Sequence, residues 1–494
     1  MIHRKSGSFP QLLLILALAL SIVRGHAVMA QSSSSWVRTN PGGGGMFNHA
    51  AAGPDGLLIV TSDLSGPYVS RDHGTHWTPL GPTNGITNTH ASAIGFHRLN
   101  PAIVFVGSEV GIFRSSNGAY SFQQVLPRGY VHDIQFSALM PDRGFATVHS
   151  HWNTADGQIY RSTDAGLSWT LVSTNLPAGL RLLKLVLSPY DAQLLYAIAG
   201  NGRFVQGPQQ IFMSSDGGVT WTRLTGMAGT VDLGSSPLMD IAFHPTNPAI
   251  RYLTRFSTGS GDYGATFISN DNGVSWQQTD SRGGVFFTDP ARPNLVRRLD
   301  PNYQNPWDDG RYGPALNGLF ESLDAGLYWT RIDSYASWDR GWHSRQAFGS
   351  TEDGPVATLG SDLSNPDAIY WVTTQAIFGS SDGGRRFAPL HTHPVGAGWQ
   401  STGIDNVVMH QLVPSESDPR WLYAAFDDLG CWRTRDAGQI WENCNPINAS
   451  FNHWTDTNGQ PYLAAGGENR SLVAVSYTHL DVYKRQVLRR VRPG

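Results

Sequence analysis

Residues 214–221 read Ser214-Ser215-Asp216-Gly217-Gly218-Val219-Thr220-Trp221, and their pattern S-x-D-x-G-x-x-W recurs along the chain. This recurrence is the strongest indication of the fold. Full copies of this box occupy residues 70–77, 162–169, 214–221, 269–276 and 322–329, and looser copies occupy 115–122, 380–387 and 434–441. The copies recur every 45 to 58 residues or so, roughly the length of one β-propeller blade. We therefore expect an all-β fold, a seven- or eight-bladed β-propeller.

The residue types of the box predict a turn rather than a catalytic site. Ser and Asp close local side-chain-to-backbone hydrogen bonds, and Gly accepts a positive φ. The Trp is expected to pack between neighbouring sheets. β-rich runs such as 210–213 and 222–224 flank the box, which is typical of a hairpin. The repeat resembles the Asp-box (BNR) repeat of sialidase-like propellers, and the resemblance covers about residues 60–445.

Both ends of the chain differ from the repeats. Residues 1–30 combine Arg4 and Lys5 with an apolar run and a small-x-small site, which is typical of a secretory signal peptide. Residues 475–494 break the blade composition and look like an artefactual read-through tail. We expect an Asp-box propeller over 31–400, and the start of a truncated second propeller or a closing blade over 401–474. The protein is expected to be secreted, periplasmic or extracellular.

The charge balance limits the choice of partners. Leaving out residues 1–30 and 475–494 removes eight Lys or Arg and one Asp, so the formal net charge changes from −3 to about −10. This argues against nucleic acid or an anionic membrane, since both need a basic surface. A neutral polysaccharide or glycan is compatible. The chain has no P-loop and no G-x-S-x-G elbow, and no cofactor is predicted.

The two cysteines bracket the last box. Cys431 and Cys444 lie at the two ends of one predicted hairpin, so in an exported protein we predict a cross-strand disulfide, with two free thiols as the alternative. No Cys or His spacing predicts a metal site. His391-Thr392-His393 is expected to be a surface loop.

Candidate catalytic residues come from segments that depart from the repeat. Asp63 lies in Thr61-Ser62-Asp63-Leu64, and Asp428 lies in Phe426-Asp427-Asp428-Leu429. Each places Asp-Leu at the end of an apolar strand, eight or nine residues before the Asp of a box. Glu109 occupies the comparable place in the second repeat.

These segments, with the run of glycines at 42–45 before the first strand, resemble glycoside hydrolase family 74, the secreted xyloglucanases built from two facing Asp-box propellers. The resemblance implies that Asp63 is the general base and Asp428 the general acid of an inverting hydrolysis. Ser65, Pro67 and Asp427 depart from the family's motifs.

Tryptophans outside the boxes are candidate sugar-binding residues. Glucan chains bind by stacking on aromatic rings, and Trp in loops is a better indication of binding than Trp in strands. The candidates lie in Gly- or Pro-containing stretches, with packing between blades as the alternative for each. They are Trp152, Trp307, Trp338, Trp342 and Trp399.

Two functions therefore stay open. One is a secreted glycoside hydrolase that acts on β-glucan of the xyloglucan type through Asp63 and Asp428. The other is a non-catalytic Asp-box propeller that binds protein or glycan outside the cell, since one fold supports many functions. The enzyme needs a second set of blades to form a cleft, and the binding propeller does not.

Overall fold

A computed structural model describes the chain from Phe47 onward. The described ranges are 47–151, 154–200, 210–228, 231–233, 238–255, 264–300, 318–333, 337, 339, 341–342, 359–362, 365–372, 376–404, 409–426, 430–444, 453–455 and 461–463.

Antiparallel four-stranded sheets dominate these ranges, and each is a meander of consecutive strands. The first three are β1 (Phe47–Ala52), β2 (Leu58–Ser62), β3 (Tyr68–Ser70), β4 (Thr78–Pro79); β5 (Ala91–Phe96), β6 (Val104–Ser108), β7 (Gly111–Ser115), β8 (Gln123–Leu126); and β9 (Tyr130–Phe136), β10 (Gly144–His149), β11 (Gln158–Ser162), β12 (Thr170–Leu171). The fourth is β13 (Leu182–Leu187), β14 (Leu195–Ala199), β15 (Gln210–Ser214), β16 (Thr222–Arg223).

Three more sheets of the same kind follow, after a small ribbon of β17 (Met227–Ala228) and β18 (Val231–Asp232). They are β19 (Leu238–Phe243), β20 (Arg251–Arg255), β21 (Ala265–Ser269), β22 (Gln277–Asp280); β23 (Val285–Thr288), β24 (Val296–Asp300), β25 (Gly318–Ser322), β26 (Thr330–Arg331); and β27 (Leu359–Ser361), β28 (Ile369–Val372), β29 (Ile377–Ser380), β30 (Ala388–Pro389).

A six-stranded sheet comes next, in the order β31-β32-β36-β35-β34-β33, and we call it the last sheet. Its strands are β31 (Thr392–Val395), β32 (Gly398–Ser401), β33 (Met409–Pro414), β34 (Leu422–Phe426), β35 (Gly430–Thr434) and β36 (Trp441–Asn443). A two-stranded ribbon, β37 (His453–Thr455) and β38 (Pro461–Leu463), and one short 3-10 helix, Pro82–Asn84, complete the described elements.

Sheets stacked face to face explain the apolar composition of the middle strands. Every residue of β2, β6, β10 and β14 is buried. A strand covered on both faces reads as a nearly continuous hydrophobic run rather than an alternating one. The first strands of neighbouring sheets also contact one another, for example β1 with β5 and β5 with β9, so these strands lie nearest the centre of the arrangement.

Each four-stranded sheet shares a hydrophobic cluster with the next. Between the first and second sheets, Ile59 and Val69 pack with Val104. The seventh sheet shares a cluster with the first, in which Tyr370 packs with Tyr68. The sequence of shared cores therefore returns to its start, as expected of a β-propeller.

The boxes form the predicted turns between the third and fourth strands. In the central copy, the Ser214 hydroxyl donates to Asp216 Oδ1 at 2.8 Å and accepts the Gly218 N–H at 2.9 Å. Trp221 Nε1 donates to the Gly218 carbonyl at 2.9 Å. Gly217 and Gly218 have φ of 72° and 86°, two consecutive left-handed residues.

Trp77 of the first box differs from Trp221. Its Nε1 donates to the Leu390 carbonyl at 2.9 Å, and its backbone N–H donates to the Thr402 carbonyl at 2.8 Å. Because Leu390 follows the seventh sheet directly, these bonds join the first and seventh sheets.

Candidate functional site

Asp63 is the first residue after β2. The hydroxyl of Ser62, the last residue of β2, accepts the backbone N–H groups of Leu64 and Ser65, each at 3.4 Å. This local turn ends the strand and leaves Asp63 half-buried. Phe47 at the start of β1 pairs with Ser62, so Asp63 lies at the face of the propeller where the first strands begin.

Glu109 holds the same position in the second sheet. Ser108 ends β6, pairs with Ala91 at the start of β5, and accepts the Val110 N–H at 3.1 Å. Ser62-Asp63-Leu64 and Ser108-Glu109-Val110 are therefore matching turns: a buried serine, an acid, and an exposed aliphatic residue. Sequence spacing alone suggested that Glu109 was comparable to Asp63, and the strand register supports that correspondence.

The turn that carries Asp63 lies close to the loop that precedes β5 of the second sheet. Gly66 has φ of 81°, and a Cβ placed there would lie 3.8 Å from Thr89 Cα. Asn88 and His90, on either side of Thr89, both contact the Glu109 carboxylate. The two acidic turns thus belong to one continuous surface, which we call the acidic face and define by Asp63, Asn88, His90 and Glu109.

Aromatic and imidazole rings extend the acidic face into the third sheet. The centroids of His90 and Tyr130 are 5.6 Å apart, and those of Tyr130 and His132 are 4.7 Å apart. His132 lies 4.7 Å from His149 at the end of β10. Burial lowers the pKa of His149. These residues carried no pattern in the sequence, since His90 and His149 lie on other strands or loops than Tyr130 and His132.

Several predicted site residues lie outside the described ranges. These are Asp428, Trp152, Trp307 and Trp338. The strand before Asp428 ends at Phe426, and the next begins at Gly430.

Trp342 and Trp399 belong to the hydrophobic cluster of the last sheet. Trp342 is 3 % exposed, and its ring centroid lies 5.5 Å from that of Trp432. Trp399 is half-buried against the same cluster. Packing, the alternative to sugar binding, therefore accounts for Trp342, because a ring so enclosed has no face open to a sugar. Loop composition could not distinguish packing from exposure.

Cys431 and Cys444 form a disulfide, with their Cα atoms 5.1 Å apart. The backbone N–H of Cys444 donates to the Cys431 carbonyl at 2.9 Å, so the bridge lies across the hairpin that holds the last box.

The expectation that His391 lies in a surface loop was wrong: the side chain is buried, and its ring lies edge-on to Phe378. It faces the core because it lies just after Leu390, where the chain leaves the seventh sheet at the junction with the first.

The box aspartates are held by turn hydrogen bonds. The pKa of Asp271 is lowered to about 2 by hydrogen bonds from the Ser275 hydroxyl, the Ser275 N–H and the Ser269 hydroxyl. A carboxylate held ionised in this way is a poor general acid at neutral pH. The structure thus supports a structural role for the boxes.

A charged cleft of about 490 Å³ lies between the sixth and seventh sheets. Arg297 donates to Glu321 at 3.1 Å and to Asp367 at 2.7 Å. Arg292 also donates to Asp367, and these bonds lower the pKa of the Asp367 carboxyl. The Glu321 and Asp367 carboxylates are therefore paired with arginines, and the Arg297–Asp367 pair joins the two sheets.

Two kinds of feature are absent from the described part of the chain. It contains no group of three or more His, Cys, Asp or Glu side chains arranged to hold a metal ion. Nor does it contain a helix with the length and apolar composition needed to span a bilayer.

The stacked sheets, their shared cores and the recurring turns define an Asp-box β-propeller. The family model described as Sortilin, neurotensin receptor 3 (Sortilin-Vps10) matches residues 157–289.

The chain is also similar to xyloglucanases. It is 23% identical to the xyloglucanase of Hypocrea jecorina (strain QM6a) over 474 residues, which cover 88% of this chain and 49% of that protein. It is 21% identical over 478 residues to a probable oligoxyloglucan-reducing end-specific xyloglucanase of Neosartorya fischeri, covering 88% of this chain and 52% of that one. The chain therefore spans about half the length of these curated relatives.

A solved structure shares the fold. The crystal structure of an ancestral glycoside hydrolase family 74 enzyme superimposes with a TM-score of 0.64 at 18% identity, covering 84% of this chain and 56% of that one. At this identity, the likeness concerns the fold.

Proposed function

We propose that this chain supplies the first propeller of a secreted glycoside hydrolase that cleaves xyloglucan. The observation that carries the proposal is the place of Asp63, which lies half-buried directly after β2 of the first sheet, on the face where the first strands begin. The resemblance to glycoside hydrolase family 74 assigns the general base to this position. Similarity to xyloglucanases along 88% of the chain supports the same substrate.

The proposed mechanism is an inverting hydrolysis. Asp63 deprotonates a water molecule, which attacks the anomeric carbon, while Asp428 protonates the leaving glycosidic oxygen. Inverting glycosidases hold these two carboxyl groups roughly 6.5–9.5 Å apart, so that the water fits between the base and the sugar. The general acid must be protonated before the reaction, and burial raises the pKa of a carboxyl group in the required direction.

The architecture proposed with this mechanism has two propellers. Seven four-stranded sheets make up the first, because the hydrophobic clusters run from sheet to sheet and return from the seventh to the first. The last sheet, which contains the eighth box, then starts the second propeller. Asp428, between β34 and β35, belongs to this second unit.

The first test is a new read of the gene from source DNA past the codon for Ala474, followed by expression of the full reading frame. Further S-x-D-x-G-x-x-W boxes are expected. The purified protein should release reducing sugar from xyloglucan, and Asp63→Asn and Asp428→Asn should each lower kcat by about 10²–10⁴-fold, the usual contribution of acid–base catalysis. Asp142→Asn is the control, since Asp142 lies in the loop that joins β9 to β10 at the opposite face. Unchanged kcat in the Asp63 variant would refute its role.

A second candidate function is a binding propeller without catalysis. The observation that favours it is the junction of the first and seventh sheets through Trp77. Because this junction joins the seventh sheet back to the first, the ring of sheets needs no further blades. If the reading frame stops within a strand or two, this function replaces the glycosidase. The test is then retention on immobilised glycans without release of reducing sugar.

A further inference from the structure

The carboxylate of Glu109 is held by two neighbours on the acidic face. Asn88 Nδ2 donates to Glu109 Oε1 at 3.1 Å, and His90 Nδ1 lies 3.4 Å from Oε2. One backbone bond ties the two segments together, from the Glu109 N–H to the His90 carbonyl. Within the first segment, the His90 N–H donates to the side-chain oxygen Asn88 Oδ1. The orientation of the carboxylate is therefore fixed before any ligand arrives.

The carboxylate is still open to solvent. The side chain of Glu109 is 36% exposed and that of His90 is 27% exposed. Each carboxylate oxygen accepts more than one hydrogen bond, so the bond from Asn88 and the contact with His90 leave acceptor capacity on the exposed side. A structural ion pair of the kind formed by Arg297 and Glu321, both mostly buried, leaves no such exposed edge.

The rings behind His90 make the cluster rigid. Tyr130 is 8 % exposed and packs edge-on against His90, with His132 and His149 behind it. A site whose side chains are already ordered loses less conformational entropy when a ligand binds. The side chains of this cluster are therefore ordered in advance, as those of a binding site are.

We infer that Asn88, His90 and Glu109 form a sugar-binding subsite beside Asp63, where Glu109 accepts hydrogen bonds from vicinal hydroxyl groups of a pyranose ring. This inference rests on the proposed function and names a place where the glycan is held. A hydroxyl pair suits the cluster because a carboxylate accepts two O–H donors at once, whereas a central carboxylate repels an anionic ligand. Because Thr89 lies close to Gly66, in the turn that follows Asp63, we place the bound ring beside the proposed general base.

The test uses isothermal titration calorimetry with xyloglucan oligosaccharides and the full chain carrying Asp63→Asn, which prevents turnover. Adding Glu109→Gln should weaken binding about tenfold or more, as expected for the loss of a hydrogen bond to a charged group. Asp142→Asn, added to the same background, is the matched control. It alters another His–carboxylate contact, between His97 and Asp142 at 3.2 Å, and should leave binding unchanged.

The outcomes separate this inference from the proposed function. Unchanged affinity after Glu109→Gln overturns the subsite, even where Asp63→Asn abolishes hydrolysis. Weakened affinity with full hydrolysis by Asp63→Asn supports the subsite and removes the catalytic role of Asp63. Absence of both binding and hydrolysis in the unaltered protein overturns both. If Glu109→Gln lowers the melting temperature, Asn88→Ala is used instead, with the same expected loss of affinity.

Discussion

The disulfide between Cys431 and Cys444 clamps the hairpin that follows Asp428, and its removal should loosen that hairpin. The two cysteines are 13 residues apart in sequence. The entropy of closing such a loop corresponds to about 3 kcal/mol at 25 °C. The double variant Cys431→Ala/Cys444→Ala should therefore lower the free energy of opening the hairpin by about this amount, which is about a hundredfold in the opening equilibrium.

Hydrogen exchange followed by mass spectrometry measures this effect. Peptides from 430–444 should exchange about a hundredfold faster in the double variant, provided that exchange reports the opening equilibrium. The hairpin of β15 and β16 has the same turn without a disulfide, so peptides from 210–223 are the internal control. Reduction of the unaltered protein should reproduce the effect, and the reductant should change nothing in the double variant.

One result would refute this reasoning. If peptides from 430–444 exchange at the unaltered rate after the cysteines are replaced, the hairpin is held by packing and backbone pairing alone. Cys431 is completely buried in a cluster with Tyr423 and Ala425, which is the competing source of stability.

Two further predictions concern the boxes and the junction of the first and seventh sheets. Ser214→Ala should lower the free energy of unfolding by about 1–3 kcal/mol in urea denaturation, because the buried Gly218 N–H loses its acceptor. The same change at the exposed neighbour Ser215 should cost little, and equal effects would contradict the turn model. Burial lowers the pKa of His391 from 6.5 to about 4. Its contribution to stability is therefore present above pH 6.5 and is lost as the pH falls toward 4, by up to about 3 kcal/mol. His391→Gln should make the melting temperature less dependent on pH over this range. An unchanged pH profile of the melting temperature would exclude His391 as the cause.

The repeating turns were predictable from the sequence because their hydrogen bonds are local. Ser214, Asp216 and Gly218 satisfy one another within five consecutive residues, so residue types at fixed spacing specify the geometry. The middle strands could also be predicted, since burial on both faces favours a continuous apolar run such as Leu195–Ala199.

The junction and the acidic face depend on contacts between distant residues. Trp77 bonds to Leu390 across 313 positions, and nothing in the first box distinguishes it from the other copies. Glu109 was noticed by its spacing, but Asn88 and His90 became part of the site only when the strand register was known. Whether Trp342 packs or is exposed is likewise decided by the last sheet, not by its neighbours in sequence.

Each four-stranded sheet is made from four strands that are consecutive in the chain, including the first and the seventh. Among the described residues no strand is shared across the junction, so each sheet is a complete module. Neighbouring modules are joined by side-chain packing and by a few backbone hydrogen bonds, such as that from Trp77 to Thr402. Duplication or loss of one module changes the number of blades without breaking a sheet, which gives such genes a simple route to rings of different size. A circular permutant cut between any two modules should, for the same reason, keep all its strand pairs.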